Sequence, residues 1–393
     1  MTPLRTLTLA LAAALASGCT MIPDYERPAA PVAAGFANAA PAAAEAAPAD
    51  AIAWRDYFAD ARLREVIALA LANNRDLRVA ARNIEKARAQ YRIQRADLFP
   101  AVGASGGVNA QRLPGDLTSS GEAEVNRSYS ATIGFSAYEL DFFGRIRSLN
   151  AEALETYLGT EAARRSAQIS LVAEVANAWL TLAADRERLA LARSTYETRQ
   201  KSSHLTRRSF EAGAVSALDL HQAETLLHNA RADAARYRSF VAQDENALAL
   251  ITGAPVPAEL LPATLTDSIS AVAELPAGVP SEVLVRRPDI LQAERALRAA
   301  NASIGAARAA FFPSISLTAA AGSASSTLGG LFDGGSGTWS FIPQVRIPIF
   351  EAGRLKASLE VAEVQRDINV AQYGIIYLDE IDILLFMSVH PGF

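Results

Sequence analysis

Four stretches of the chain alternate between apolar and small polar residues, the pattern of β-strands that have one apolar face. In one of them, Ile315 and Leu317 alternate with Ser316 and Thr318. Each stretch has about ten residues, the length of a tilted membrane strand, and would be apolar toward lipid and polar toward water. A half-buried sheet in a soluble domain would show the same alternation. The stretches are residues 101–110, 130–137, 314–322 and 339–349.

The number of strands predicts an oligomer. Residues 323–338 are rich in glycine and serine, which indicates an exposed loop between two strands. Four strands are too few to close a membrane barrel, because the smallest closed barrels have more. We therefore expect several copies of the chain to contribute strands to one barrel.

Two further segments have helical periodicity. From about Ile146 to Ala212 there is no proline and a single glycine, so the predicted helix is ~100 Å long at the usual rise per residue. It has two apolar seams, which predict neighbours on both sides. The next helix, from about Ser216 to Ile251, has a nearly unbroken 3.5-residue repeat that includes Asp244 and is typical of a coiled coil.

A short turn joins these two predicted helices. Gly213 suits a helix C-terminus, and Ser216 with Asp219 forms an S-x-x-D capping motif, so the sequence predicts a tight helical hairpin. The exposed tip, which includes Val215, could dock a partner or gate a pore. It could equally be a simple connecting turn.

The chain also contains an internal duplication. Two helical runs end at a proline, which disfavours helix in the residue before it, and each repeat has the order helix, strand, loop, strand, helix. Starts and ends of the runs are offset by 213 residues, and a Gly-Arg pair follows each with an offset of 209. The matching positions are Asp76 with Asp289, Pro100 with Pro313, and Gly144 with Gly353.

The first residues indicate a targeting segment. Leu7 to Ala16 is an apolar stretch that is too short to span a bilayer and follows Arg5, as in a signal peptide. Small residues precede Cys19, the single cysteine, and this resembles a bacterial lipoprotein processing site. We expect lipidation of Cys19, which would tether the protein to a membrane without spanning it. An ordinary signal peptide with an incidental cysteine is the alternative.

No later stretch has 18 consecutive apolar residues, so the sequence predicts no transmembrane helix. Together these patterns divide the chain into six parts. They are a signal peptide (1–18), a lipidated N-terminus and linker (19–53), a first repeat (54–253), a connecting segment (254–280), an incomplete second repeat (281–373) and an atypical tail (374–393).

Composition removes several classes of function. The net charge is −5 and no basic stripe is present, which disfavours nucleic-acid binding. One cysteine excludes an intramolecular disulfide and a Cys-rich metal site. His221, Glu224 and His228 could place three ligands on one helix face, but we favour a solvated face. No catalytic triad, phosphate loop or metal cluster stands out, so we predict no enzyme, no catalytic residue, no cofactor and no metal.

Several motifs resemble the outer membrane factor family of tripartite efflux systems, the TolC/OprM-like (NodT-type) lipoproteins, over residues 1–373. Thr20 after the cysteine fits outer-membrane sorting in such lipoproteins. The motifs occur in the family's order and are GCTMIPDYERP (18–28), WRDYF (54–58), NRDL (74–77), YRIQRA and LFP (91–100), ELDFFGR (139–145), RRPDI (286–290) and IPIFEAGR (347–354).

This resemblance implies a mainly α protein with a membrane β-barrel portion. It implies a homotrimer that is lipid-anchored in the outer membrane and extends into the periplasm as a long helical barrel. The tip at Gly213, Val215, Ser216 and Asp219 would meet a periplasmic adaptor protein. An inner-membrane pump would supply energy, and this chain would be a passive duct for drugs or other small solutes.

Residues 374–393 depart from the family pattern, which would continue to a second helical hairpin. Residues 387–393 (MSVHPGF) instead resemble a strand-and-loop fragment of ribulose-phosphate 3-epimerase. We therefore expect the C-terminal helical hairpin, and the gate formed there, to be truncated. A cytoplasmic isomerase conflicts with the signal segment. A non-channel periplasmic coiled-coil lipoprotein with a structural role is the alternative to a channel.

Overall fold

The computed structural model describes residues 20–29, 31, 52–265 and 281–389. Within these ranges the chain forms seven α-helices and one four-stranded sheet. The helices are α1 (Trp54–Tyr57), α2 (Ala61–Asn73), α3 (Arg75–Ala96), α4 (Arg145–Glu211), α5 (Ala217–Thr252), α6 (Pro288–Ala309) and α7 (Arg354–Val389). The strands are β1 (Gly103–Leu113), β2 (Glu124–Leu140), β3 (Ser314–Ser325) and β4 (Gly337–Arg346).

The chain divides into two compact units, and each contains residues from both sequence repeats. The sheet unit contains the strands and the helix segments next to them, and the hairpin unit contains the helical hairpin. The sheet unit is Met1–Ala30, Glu85–Thr160 and Gln292–Ile376, and the hairpin unit is Pro31–Ile84, Glu161–Leu291 and Tyr377–Phe393.

The sheet is antiparallel throughout, in the order β1-β2-β3-β4. Strands β2 and β3 come from different repeats but pair directly, with Ile133 opposite Ala321. A β-bulge lies between Phe135 and Tyr138, where Ala137 has a φ of 53°. The two repeats therefore build one continuous sheet, with β1 and β4 at its edges.

All four predicted strands are confirmed, although their ends differ from the prediction. Strand β2 begins at Glu124, and β3 continues to Ser325, inside the predicted loop. The prediction that β4 includes Ile347 and Ile349 is wrong, because the strand ends at Arg346. Pro348, two residues beyond this end, lacks the backbone donor that a continuing strand would need.

The predicted helices and the duplication are also confirmed. Helices α3 and α6 both have 22 residues and both end shortly before the predicted proline. Helix α4 has 67 residues without interruption, and α5 begins one residue after its cap, Ser216. The matching lengths of α3 and α6 support a common origin of the two repeats.

The core of the hairpin unit forms where both seams of α4 meet α2 and α5. Trp179 and Leu182, which belong to different seams, are completely buried together with Leu63 and Leu248. Trp179 Nε1 donates a hydrogen bond to the carbonyl oxygen of Leu260, at 3.0 Å, and so fixes the segment after α5. The prediction of neighbours on both sides of α4 is confirmed for this part of the helix.

By length and composition alone, α4 also contains a stretch apolar enough to cross a membrane, with a mean hydropathy of 1.2. This stretch contains polar residues among its apolar ones, so it is not a run of 18 consecutive apolar residues. A buried core helix passes the same test, and α4 supplies Val175, Trp179 and Leu182 to the core. Packing between helices therefore explains its apolar content.

The tail differs from the sequence-based expectation. Helix α7 continues through Gly374 to Val389, so residues 387–389 are helical and not part of a strand. A single glycine costs a helix only about 1 kcal/mol, so the change in composition at Gly374 does not end it.

Candidate functional site

The sheet has one apolar and one polar face. Residues directly opposite each other in paired strands lie on the same face, so the register assigns every position. The apolar face contains Val108, Tyr129, Ile133, Phe135, Ile315, Leu317, Trp339, Phe341 and Val345. The polar face contains Ser105, Asn109, Gln111, Ser128, Thr132, Ser316, Thr318, Ser340 and Gln344.

The apolar face is exposed to the surroundings. Trp339 is 79% exposed and Phe341 is 57% exposed. On the other face, the hydroxyl groups of Ser105 and Thr132 form a hydrogen bond of 3.0 Å. Contiguous exposed apolar surface of this kind indicates contact with a membrane or another apolar partner.

The edges of the sheet are open within the described residues, since β1 and β4 each pair on one side only. Unpaired backbone groups cost several kcal/mol each in hydrocarbon, so a membrane sheet needs partners for both edges. Strand β4 contains Pro343, and β4 tolerates this residue because it is an edge strand within the chain.

The two Gly-Arg pairs form the junctions between strands and helices. Gly144 and Gly353 have φ values of 77° and 85°, a conformation that residues with a Cβ rarely adopt. Asp141 caps the first turn of α4, where its carboxylate accepts hydrogen bonds from the backbone N–H groups of Ile146 at 3.0 Å and Arg147 at 2.8 Å. The same residue pattern thus turns the chain from strand to helix in both repeats.

Charged side chains surround these junctions in a cleft of about 370 Å³. Arg145 Nε donates to Glu139 at 2.8 Å in the first repeat, and Arg354 Nη2 donates to Glu351 at 2.8 Å in the second. Their mutual pairing leaves no unmatched charge that would attract a ligand, so we assign this cleft a structural role.

The hairpin tip has the predicted geometry. Gly213 has a φ of 80°, and Ser216 and Asp219 form a capping box in which the Ser216 hydroxyl accepts from Asp219 N at 3.2 Å. In return, the Asp219 carboxylate accepts from Ser216 N at 3.0 Å. Hydrogen bonds from Ser216 lower the pKa of Asp219, so the cap is charged at neutral pH.

The tip surface is exposed and well defined. Val215 is half-buried, whereas Leu218 is 65% exposed. Farther from the tip, Arg207 of α4 forms an ion pair with Glu224 of α5, which links the two helices. A fixed turn with an exposed apolar side chain is suited to contact another protein.

Cys19 lies outside the described residues, but the segment that follows it does not. Residues 20–29, which we call the N-terminal strap, lie along α6. Asn301 Nδ2 donates to the carbonyl oxygen of Pro23 at 2.7 Å, and the Arg298 guanidinium lies 4.6 Å from the Tyr25 ring centre. A Cβ on Gly305 would come within 2.8 Å of the backbone of Ile22, so only glycine fits there.

Glu294 is the electrostatic centre of this contact. Its side chain is only 5% exposed and accepts hydrogen bonds from Arg27 and Arg298, each at 2.8 Å. Burial raises the pKa of this carboxyl, but the hydrogen bonds from Arg298 and Arg27 outweigh burial and lower it. The motif at residues 18–28 does not reveal Glu294 as the partner of Arg27, because no periodic signal links residues 267 positions apart.

The 3.5-residue seam of α5 contains a second buried carboxylate, Asp244. Asp244 Oδ2 is buried without a hydrogen-bond partner, and both burial and the neighbouring carboxylate of Asp185 raise the pKa of Asp244. Two ionised carboxylates are both acceptors, whereas a protonated Asp244 can donate to Asp185. Asp185 itself accepts from Arg188 at 2.7 Å.

The histidine pattern on α5 behaves as a solvated face. His221 Nδ1 lies 3.3 Å from a carboxylate oxygen of Glu224, and both residues are at the surface. Among the described residues, no group of three histidine, cysteine, aspartate or glutamate side chains could hold a metal ion.

Comparison with known proteins agrees with these features. The family model described as outer membrane efflux protein matches residues 66–254 and 279–375. The toluene efflux pump outer membrane protein TtgC of Pseudomonas putida is 54% identical over 371 residues, which are 93% of this chain and 76% of that protein. The outer membrane protein OprJ of Pseudomonas aeruginosa is 47% identical over 365 residues, with 93% and 76% covered.

Solved structures show the same fold. A membrane protein from Pseudomonas aeruginosa superposes with a TM-score of 0.85 at 45% identity, over 93% of this chain and 82% of that chain. The open state of the Neisseria gonorrhoeae MtrE outer membrane channel superposes with a TM-score of 0.80 at 40% identity, with 93% and 80% covered. The chain therefore belongs to the outer membrane efflux protein family.

Proposed function

We propose that this protein is the passive outer-membrane duct of a tripartite efflux pump and that three copies form it. The observation that carries this proposal is the four-stranded sheet with separate apolar and polar faces and two open edges. Three such sheets, joined from β4 of one copy to β1 of the next, would pair every edge and enclose a polar interior. The exposed apolar face would then contact lipid.

The polar face supports passive transport of small solutes. Its side chains are mostly uncharged hydroxyl and amide groups, which keep a channel hydrated without binding one solute strongly. Relatives are named for pumps that export toluene or antibiotics. We infer the same broad substrate class for this chain, with energy supplied by an inner-membrane pump rather than by any reaction here.

Lipidation of Cys19 is part of the proposal, and the N-terminal strap supports it. The strap runs antiparallel to α6, with Arg27 near Glu294, Pro23 near Asn301 and Ile22 near Gly305. Gly305 lies about 6 Å before the end of α6 at Ala309, and β3 begins at Ser314. The three residues from Ile22 back to Cys19 can extend by about 10 Å toward the sheet, so acyl chains on Cys19 would enter the membrane at the helical side of the sheet.

The hairpin tip would dock a periplasmic adaptor protein. Gly213 and the capping box of Ser216 and Asp219 fix its shape, and Val215 and Leu218 supply apolar contact area. A photo-crosslinking residue at position 215 should label a co-expressed adaptor, whereas one at the exposed Leu191 on α4 should not. Equal labelling at both positions would refute a specific tip contact.

Two neighbouring residues of β4 provide a test of the duct. Phe341 is on the apolar face and Ser340 on the polar face. Purified protein should form channels in a planar lipid bilayer, and Ser340→Glu should insert normally but increase cation selectivity. Phe341→Glu should insert poorly, because a charge facing lipid at mid-membrane costs about 2–4 kcal/mol for arginine or lysine and somewhat less for glutamate. Absence of conductance from folded wild-type protein, or equal effects of both variants, would overturn the proposal.

The anchor has its own test. Labelled palmitate should be incorporated into the wild-type protein in cells and should be lost in Cys19→Ala. Incorporation that persists in the variant would exclude Cys19 as the acceptor.

A further inference from the structure

Two arginines interrupt the apolar face of the sheet. Arg112 lies opposite Val125, and Arg127 lies opposite Ala110, in an unbroken part of the β1–β2 register. Both therefore project from the face that contains Val108 and Tyr129. Since they are offset by two positions across neighbouring strands, the two side chains are diagonal neighbours within reach of each other.

Neither guanidinium has a partner within the described part of the chain, and both side chains are exposed. The nearest strand carboxylate, Glu124, projects from the opposite face and accepts a hydrogen bond from Ser120. Like charges at neighbouring positions of a sheet repel each other. An anion held between the two arginines would remove this repulsion.

The position of the pair relative to the apolar band indicates which anion this is. From Tyr129 to Leu140 the apolar face of β2 extends for about 36 Å of strand, or about 28 Å along the membrane normal at a tilt of about 40°. This matches the ~25 Å apolar band of outer-membrane proteins. Arg127 lies two residues beyond Tyr129, toward the β1–β2 loop, and therefore lies just outside the band.

An aromatic residue marks the end of the band on β2. Tyr129 is the aromatic residue of the apolar face nearest the loop end of this strand. Tyrosine and tryptophan concentrate where hydrocarbon meets the polar head groups. Along this face Arg127 is one step and Arg112 two steps further out, at the depth of the head groups.

We propose that Arg112 and Arg127 form a binding site for the phosphate groups of the glycolipid in the outer leaflet. The planar guanidinium group donates two parallel hydrogen bonds to phosphate, which makes arginine suited to this contact. The site would hold lipid against the outer rim of the duct. The inference rests on the proposed orientation, in which the strand ends that continue into helices face the periplasm.

The test compares lipid binding by the wild-type protein, Arg112→Gln/Arg127→Gln and a control, Arg199→Gln/Arg238→Gln. The control removes two exposed arginines from the helical hairpin and causes the same change in net charge. Binding of bisphosphorylated lipid A and of dephosphorylated lipid A to the detergent-purified protein is measured by native mass spectrometry. An Arg112→Lys/Arg127→Lys variant keeps the charge but loses the paired donors.

We expect the wild type and the control to bind bisphosphorylated lipid A at least ~10-fold more tightly than the glutamine variant, with the lysine variant in between. Dephosphorylated lipid A should bind all four proteins equally weakly. Equal binding by the wild type and the glutamine variant, or equal binding of both lipids, would overturn the proposal. Competition by millimolar inorganic phosphate as strong as that by the lipid would instead assign the site to free phosphate.

Channel conductance separates this result from the proposed function. In phosphatidylcholine bilayers, which lack lipid A, the glutamine variant should conduct like the wild type. A wild-type protein that conducts normally but shows no preference for bisphosphorylated lipid A refutes the lipid site alone, whereas a folded wild type without conductance refutes the duct.

Discussion

Glu294→Gln is the most direct test of how the N-terminal strap is held. The substitution keeps the shape of the side chain but removes the charge that Arg27 and Arg298 share at 2.8 Å each. It also replaces one acceptor oxygen by a donor, so one of the two arginines loses its acceptor.

The magnitude follows from the two hydrogen bonds. A hydrogen bond to a charged group contributes about 1.5–3 kcal/mol and a neutral one about 0.5–1.5 kcal/mol, so the loss of one bond and the weakening of the other would cost roughly 2.5–4.5 kcal/mol. The arginine side chains are 46% and 38% exposed, and solvent screening reduces this loss. We expect detachment of the strap to become easier by about 2 kcal/mol.

Cleavage by chymotrypsin at Tyr25 measures this detachment. Tyr25 lies beneath Arg298 in the attached strap and becomes accessible only when the strap opens. If opening is fast relative to cleavage, the rate follows the open population, and about 2 kcal/mol corresponds to about 30-fold faster cleavage. Glu363→Gln is the matched control, because its ion pair with Arg308 is longer, at 4.0 Å, and is at the surface.

The pH dependence gives a second, independent reading. The pKa of Glu294 in the folded protein is lower than its ordinary value, so its contribution is complete above about pH 4.3 and is lost as the pH falls through the folded pKa. The difference between wild type and Glu294→Gln should therefore shrink in acid. Equal cleavage rates at neutral pH, or a difference that does not change with pH, would refute the reasoning.

Three further sets of substitutions test the core, a buried carboxylate and a junction. Trp179→Phe should lower the free energy of unfolding by about 1–2 kcal/mol, because the hydrogen bond to Leu260 is lost. Trp179→Ala should lower it by about 3–5 kcal/mol, because it also leaves a cavity. Urea titrations measure both values, and equal losses would contradict the prediction. Asp244→Asn should raise stability at pH 7 by ~1 kcal/mol. The pKa of Asp244 is raised in the folded protein, so folding favours the protonated carboxyl, and the stability of the wild type falls as the pH rises through the folded pKa of Asp244. A variant whose stability has the same pH dependence as that of the wild type would contradict this prediction. Gly353→Ala should destabilise the protein by about 1–2 kcal/mol, because Gly353 has a positive φ. Gly374→Ala within α7 should instead stabilise the protein by up to about 1 kcal/mol. Thermal unfolding distinguishes the two signs.

The periodic features of the chain were predictable from sequence because their causes are local. Alternation at 314–322 and the glycine-cap pattern at Gly213 and Ser216 depend on neighbouring residues, and the structure has both. The strand end at Arg346 was missed because the alternation continues to Ile349, although Pro348 removes the donor that a strand would need.

What the sequence determined by itself was therefore the set of elements, their order in two repeats, and the division of each strand into an apolar and a polar face. Only the tertiary structure decided which distant residues meet: β2 with β3, Glu294 with Arg27, and Asp185 with Asp244. The physical reason is that a repeat period records how a side chain is oriented on its own element. A buried ion pair or a strand register depends on how two elements pack, and no local pattern carries that information.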